Sequence, residues 1–267
     1  MSKGRRRLEA VPEVKTVPLK VGKSRARSVR RGFPIHAYIG ANGGGKSLAA
    51  VYDSLPTLAA GRPIASTVRI LDPSTGEPHP LWIPLNDFRT LLEVEFCYVI
   101  LDEVTGVASS RDSMSMPTAV ANHLQQLRRK DVALRWTAPN WKRADTIIRE
   151  CSQAATLCVG LVKQTMTAED GTDRQWSSRR LFYWRTYDAV AFDEWSTTRK
   201  ERLRPAARQL YRRDSTDASS TYDTFDAVLS LQEVDEYGRC MDCGGTRTRP
   251  KCKGHGPDVD AGTSSAS

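Results

Sequence analysis

The sequence predicts an α/β fold, a mostly parallel sheet covered by helices on both faces. Strand-like and helix-like segments alternate over residues 32–163, the pattern of parallel strands joined by crossover helices. Phe96–Leu101 is an uninterrupted apolar run, as expected of a strand buried on both sides. Between the first strand and the first helix stands Gly40-Ala41-Asn42-Gly43-Gly44-Gly45-Lys46-Ser47, a glycine-rich turn that fits G-x-x-x-x-G-K-[ST].

Taken in order, residues 1–31 hold eleven Lys or Arg and two acids, while the rest of the 267-residue chain carries 29 of each sign. The whole net charge of +9 therefore sits in the first 31 residues. They read as a flexible basic arm, either a solvated tail or a contact for phosphate or an acidic partner. Phe33–Ile39 is the first strand, and a helix starts at about Lys46. Pro63–Leu71 is β-branched enough for a second strand; Asp72–Pro80 is turn-rich, and Leu81–Pro84 could return as a hairpin strand. Asn86 suits the cap of a helix over Asp87–Glu93. After Phe96–Leu101, Pro117–Lys130 places Val120, Leu124 and Leu127 on one helical face. Val132–Thr137 reads as a strand, Trp141–Glu150 as a helix and Ala154–Val162 as a strand. Glu169-Asp170-Gly171 marks a turn before the aromatic strand Trp176–Tyr187, so residues 164–187 read as a β-hairpin extension. Arg174–Arg213 holds eleven basic and four acidic residues, a second basic surface. Residues 32–230 are thus expected to form one domain, 237–256 a small module and 257–267 a disordered tail.

Composition excludes several classes. No segment approaches the roughly 18 consecutive apolar residues of a membrane-spanning helix. No apolar stretch follows the basic N-terminus, so a secretory signal is not expected. Cys97, Cys151 and Cys158 are scattered and the other three cysteines cluster near the C-terminus. That is no disulfide framework, and it fits a reduced, cytoplasmic setting.

The chemistry-bearing residues form a set. In Gly40–Ser47, backbone N–H groups must turn inward around phosphate, which needs the positive φ that glycine tolerates. Lys46 can reach the β- and γ-phosphates, the Ser47 hydroxyl can hold Mg2+, and the following helix adds its positive end. Phe96–Leu101 ends in Asp102-Glu103. Asp102 suits the Mg2+-associated acid beside the phosphate loop, and Glu103 the base that polarises an attacking water. An adjacent glutamate favours an enzyme that hydrolyses ATP over one that passes phosphate to a second substrate. The expected class is a P-loop NTPase, RecA/ASCE-like, although nothing in the sequence separates ATP from GTP. In such ATPases a polar residue often ends the next strand. Thr137 or Asn140 could orient the water or sense the γ-phosphate, and Asn140 also suits a helix cap. Arg149, then Arg128, is the candidate for a charge-stabilising arginine given across a subunit interface, with Arg129 and Arg143 behind them.

These residues carry a family resemblance. The chain resembles the zonula occludens toxin (Zot)-like ATPases, which include assembly ATPases of filamentous phages, within the FtsK–HerA group of P-loop motors. The resemblance spans roughly residues 33–225. It rests on Gly40–Ser47, Val99–Glu103, His123–Arg128, the Val132–Thr137 strand, Ile147-Ile148-Arg149, and Tyr222-Asp223-Thr224. It departs at Ala138, where the family often has Gln, and in having no transmembrane helix after the ATPase segment. The resemblance implies a ring oligomer, commonly a hexamer, that moves DNA for phage packaging or mobile-element transfer in a bacterial host's cytoplasm. Its phage-assembly members leave open a protein substrate with a membrane partner; a nucleotide-dependent regulatory switch is a third reading.

Near the C-terminus, Cys240-x-x-Cys243, eight residues, then Cys252-x-x-His255 gives two chelating pairs of the kind that hold tetrahedral Zn2+. Four protein ligands would close the ion's coordination, so a structural zinc is expected. Arg247, Arg249 and Lys251 lie between the pairs.

Overall fold

The computed structural model describes residues 24–85, 88–104, 124, 126–167, 171, 173–198, 202–213 and 217–222. The Cys240, Cys243, Cys252 and His255 set, Asp223-Thr224 and the first part of the 117–130 helix lie outside the described residues.

Eight strands form one sheet in the order β3-β2-β4-β5-β1-β6-β7-β8. They are β1 (Ile35–Ile39), β2 (Ile64–Ser66), β3 (Trp82–Pro84), β4 (Tyr98–Leu101), β5 (Ala133–Ala138), β6 (Ala154–Thr167), β7 (Asp173–Asp188) and β8 (Ala207–Arg212). From β3 through β6 every neighbouring pair is parallel; β7 and β8 add antiparallel. The strand carrying Asp102-Glu103 does not pair with the strand that leads into the phosphate loop. β5 lies between them, in register Tyr38↔Thr137 on one side and Leu101↔Trp136 on the other.

Helices cover both faces. α2 (Lys46–Ala59) lays Leu48, Val51, Leu55 and Leu58 on Tyr38, Ile64, Ile100, Trp184 and Tyr211. On the other face, Ile148 of α4 (Thr146–Cys151) and Phe192 of α5 (Ala189–Thr198) pack with Ala37, Leu134, Trp136 and Tyr187. Alternate residues of β1 and β5 feed the two cores, so every residue of β1 is buried. α3 (Phe88–Glu93) adds Leu91 to the second core.

Several elements differ from the sequence reading, each for a local reason. The described end of the supposed flexible arm is a helix, α1 (Arg25–Arg31), capped by Ser24, whose Oγ accepts from Arg27 N at 3.3 Å. Its Arg27 and Arg30 are buried, so a segment without apolar periodicity still packs. Trp82–Pro84 is not a hairpin return; it runs parallel to β2, with Ile64 opposite Trp82. The tight turn is at Asp72–Glu77, closed by a Leu71↔Pro78 bridge. The helix expected over 141–150 is two pieces: a 3-10 turn at Trp141–Arg143 capped by Asn140, and α4 restarted by Asp145, whose carboxylate accepts from Ile147 N at 2.7 Å. Leu127–Lys130 is a 3-10 turn. The hairpin is longer than 164–187: β6 runs unbroken past Val162, pairing with β7 from Ala154↔Asp188 to Thr167↔Asp173 with one irregularity between Leu161 and Lys163. α5 and β8 then occupy a stretch the sequence had offered only as basic surface. Asp188 starts α5, its carboxylate accepting from Ala191 N at 3.1 Å.

Candidate active site

β1, β4 and β5 end at the same edge of the sheet, where parallel α/β sheets place their ligands. Gly40 follows β1 and its N–H donates to Ala138 O of β5 at 3.3 Å. The turn to α2 uses left-handed backbone at Gly43 (φ 77°) and Gly45 (φ 83°). Three glycines are dictated by close approach, Gly44 among them, where a Cβ would lie 2.8 Å from Ala41 O and 2.9 Å from Cys158 O. A Cβ on Gly40 would lie 2.2 Å from Cys158 O, and one on Gly45 would lie 2.6 Å from the Phe182 ring. Cys158 of β6 and Phe182 of β7 thus form the floor of the loop. Gly45 is the N-cap of α2 and offers no side chain to its first N–H groups. Those donors, with the positive end of a 14-residue helix, form an anion-binding surface.

The acidic element meets this loop directly. Ser47 Oγ donates to Asp102 Oδ1 at 2.7 Å, and Thr137 Oγ1 donates to the same oxygen at 2.8 Å. The Thr137 hydroxyl in turn accepts from Glu103 N at 2.9 Å, while Asp102 N donates to Thr67 Oγ1 at 2.9 Å. Burial raises the Asp102 pKa above the usual carboxylate value, against the hydrogen bonds from Ser47 and Thr137. Glu103 is in the left-handed region (φ 50°), a conformation that costs a non-glycine residue about 1–2 kcal/mol. Its carboxylate reaches Lys46, Oε1 to Nζ 3.2 Å, and is about one-third exposed. Lys46 is itself buried, with Asn42 Oδ1 at 3.5 Å. Lys46, Ser47, Asp102, Glu103 and Thr137 therefore share one small volume.

These residues fit a nucleoside triphosphate with Mg2+. Two hard oxygen donors, Ser47 Oγ and Asp102 Oδ1, stand together at the loop. Mg2+ typically takes one or two carboxylates and leaves the rest of its shell to water and substrate phosphates. Among the described residues no group of three or more His, Cys, Asp or Glu could cage a metal without such help.

Other candidates are placed elsewhere. Asn140 accepts from Lys142 N at 2.9 Å, which is its capping role, and is exposed. Arg149 is tied within its own chain: Nη1 lies 2.7 Å from Asp193 Oδ1 on α5, Nε donates to Ala144 O and Nη2 to Thr146 Oγ1. Lys142 and Trp141 converge on the same carboxylate oxygen. α4 leads into the start of β6, so Arg149 sits toward the sheet edge opposite the phosphate loop. Arg129 and Arg143 are exposed.

Sequence reasoning missed Thr67, Cys158 and Phe182. Thr67 follows β2 and is brought to Asp102 only by the β2–β4 pairing. Tyr222, singled out in the family resemblance, bridges to Ile70. Burial, with the Asp102 charge after it, raises its phenol pKa.

No protein-family model matches the chain, and no curated protein matches it. Solved structures do match at low identity. The genome packaging NTPase B204 of Sulfolobus turreted icosahedral virus 2, in complex with ATP-gammaS, is 12% identical, with 67% of this chain and 97% of that chain covered and a TM-score of 0.41. The N-terminal domain of zonular occludens toxin from Neisseria meningitidis is 14% identical, covering 72% and 100%, with a TM-score of 0.41. The flagellar accessory protein FlaH from Methanocaldococcus jannaschii is 13% identical, covering 63% and 85%, at 0.40. The family named from the motifs is thus among the structural neighbours. At these scores the likenesses carry no argument about function, which rests on the chain's own strand order and hydrogen bonds.

Proposed function

We propose that the chain is an ATP-hydrolysing motor that acts on DNA, working as a ring of identical subunits in the cytoplasm of a host cell. The observation that carries the hydrolytic part is the cluster in which Ser47 and Thr137 share one oxygen of Asp102 while Thr137 also holds the Glu103 backbone. The loop N–H groups and Lys46 bind the β- and γ-phosphates. Ser47 and Asp102 would hold Mg2+, which when bound supplies charge neutralisation for the phosphate oxygens. Glu103, held at Lys46, is the group placed to take a proton from water attacking the γ-phosphate. Thr137 positions the Asp102-Glu103 pair. With Arg149 engaged by Asp193, Arg128, whose side chain lies outside the described residues, and the exposed Arg129 and Arg143 remain the candidates to reach a neighbouring subunit's phosphates.

DNA is favoured by the charge on residues 1–23, the basic stretch Arg174–Arg213 and the motif resemblance. The test is ATP turnover with and without single- and double-stranded DNA at low salt, on protein whose oligomeric mass is known. DNA stimulation is expected. A flat rate removes the DNA motor and favours a protein-assembly ATPase or a switch. Lys46→Ala is expected to lose turnover. Glu103→Gln is expected to lose turnover while still binding ATP; retained turnover would remove Glu103 as base. For Cys240, Cys243, Cys252 and His255, full-length protein is expected to carry about one Zn2+ per chain by elemental analysis, and metal-free protein would remove the zinc module.

A further inference from the structure

β7 presents two different faces. Phe182, Trp184 and Thr186 point inward and are buried, while Tyr183 and Arg185 alternate with them and are partly exposed. In the antiparallel register, Arg185 lies directly opposite Arg208 of β8. Together with Arg202, Trp195 of α5 and Tyr187, these residues line a groove of about 330 Å3. No acid lines it. Among the described residues, no ion pair reaches Arg185, Arg202 or Arg208.

The arrangement is costly without an anion. Like charges directly opposite on paired strands are destabilising. Arg185 Nε is buried with no hydrogen-bond partner, and its guanidinium instead stands 5.7 Å over the Tyr183 ring. Phosphate would offset the opposed charges, since guanidinium donates two parallel N–H groups to phosphate oxygens. The partly exposed rings of Tyr183 and Trp195 offer surfaces on which bases can stack. The volume is near the lower end for ligand pockets, roughly 300–1,000 Å3, which suits one splayed-out nucleotide rather than a duplex. The location is also informative. Arg185 pairs with Leu157 and Tyr183 with Val159, flanking the Cys158 whose carbonyl backs Gly40 and Gly44. Trp184, between them, pairs with Cys158 and packs on the α2 face, so the groove lies across the sheet from the floor of the phosphate loop.

We infer that this groove binds a single-stranded nucleic acid segment, with phosphates on Arg185, Arg202 and Arg208 and a base on Tyr183 or Trp195. The inference rests on the DNA-motor reading for the class of polyanion. It is tested by anisotropy titrations of a labelled oligo-dT, about a dozen nucleotides long, against the full chain at several salt concentrations. Arg185→Gln with Arg208→Gln is expected to weaken binding about tenfold or more and to lower the salt slope by about 1.4, two phosphate contacts on a single strand. The same double variant is expected to keep or raise Tm, because the opposed charges are gone. Tyr183→Leu is expected to weaken binding about fivefold or more with the salt slope unchanged. If wild-type protein binds and is stimulated by DNA while all three substitutions leave affinity and slope unchanged, the groove is overturned and the motor stands. A fall in Tm in the double variant overturns the argument from opposed charges. Wild-type protein that binds no DNA and shows a flat ATPase rate overturns both.

Discussion

Thr137 makes two hydrogen bonds with one hydroxyl, donating to Asp102 Oδ1 and accepting from Glu103 N. Valine has the same shape and neither capacity. Thr137→Val would leave a partly buried N–H without that partner, a defect worth about 1 kcal/mol, and would free the left-handed Glu103 backbone. A fall in kcat of about 10- to 100-fold is expected, the usual effect of losing a partner that orients ligating groups, together with a higher Mg2+ requirement. Thr137→Ser keeps the hydroxyl and should recover most of the rate. Wild-type turnover in the valine variant would sink the positioning role. At this scale much was legible. Gly40–Ser47 and Asp102-Glu103 are short-range motifs because phosphate binding needs consecutive N–H groups and a nearby cation. Thr67, Cys158 and Phe182 were not legible, since the Thr67 hydroxyl, the Cys158 carbonyl and the Phe182 ring are brought to the site only by strand pairing.

α1 shows how an element can be bound by charge rather than by an apolar stripe. Arg30 is fully buried and bidentate to Asp53, Nε to Oδ2 at 2.6 Å and Nη2 to Oδ1 at 2.7 Å, with Gln209 Oε1 at 2.8 Å from Nη2. Tyr38 donates its hydroxyl to Asp53 from β1, and Arg31 donates to Asp53 O and Thr57 Oγ1. Asp53 is seven residues past Lys46 on α2. α1 therefore braces the helix that carries the phosphate loop against the strand that precedes it. Burying ions is expensive, and removing one partner of a buried pair typically costs about 3–5 kcal/mol. Two truncations separate arm from brace. Deleting residues 1–23 should leave Tm nearly unchanged and reduce DNA affinity and its salt dependence. Deleting residues 1–31 should lower Tm by about 10 °C or more, and equal melting curves for the two would remove the brace. The basic composition had pointed to a solvated or nucleic-acid-binding arm throughout. It could not reveal that a single buried carboxylate on α2 would claim Arg30.

The molecule as a whole holds a buried polar seam beneath this brace, and it sets a pH dependence. His36 is fully buried; Nδ1 donates to Arg30 O at 3.3 Å and Nε2 lies 2.7 Å from Thr156 Oγ1, which meets Thr186 at 2.9 Å. Burial, and then the charges of Arg135 and Arg30, hold its pKa well below the ordinary value of 6.5. The unfolded chain takes up a proton as pH falls through about 6.5, and the folded chain does not. His36 therefore contributes stability above that pH and loses it below, at up to about 1.4 kcal/mol per pH unit. Urea midpoints at pH 7.5 and 5.5 should diverge more in wild-type protein than in His36→Gln, and equal divergence would exclude this histidine. The sequence by itself determined the layered α/β class, the phosphate loop and the acidic pair, because periodicity and motif chemistry are properties of neighbouring residues. Only the tertiary structure decided that β5 separates the loop strand from the acidic strand, that Thr137 joins them, that Arg149 is taken by Asp193, and that α1 is a brace. Each of those depends on which strands pair and in what register, and pairing is settled by packing across the whole sheet.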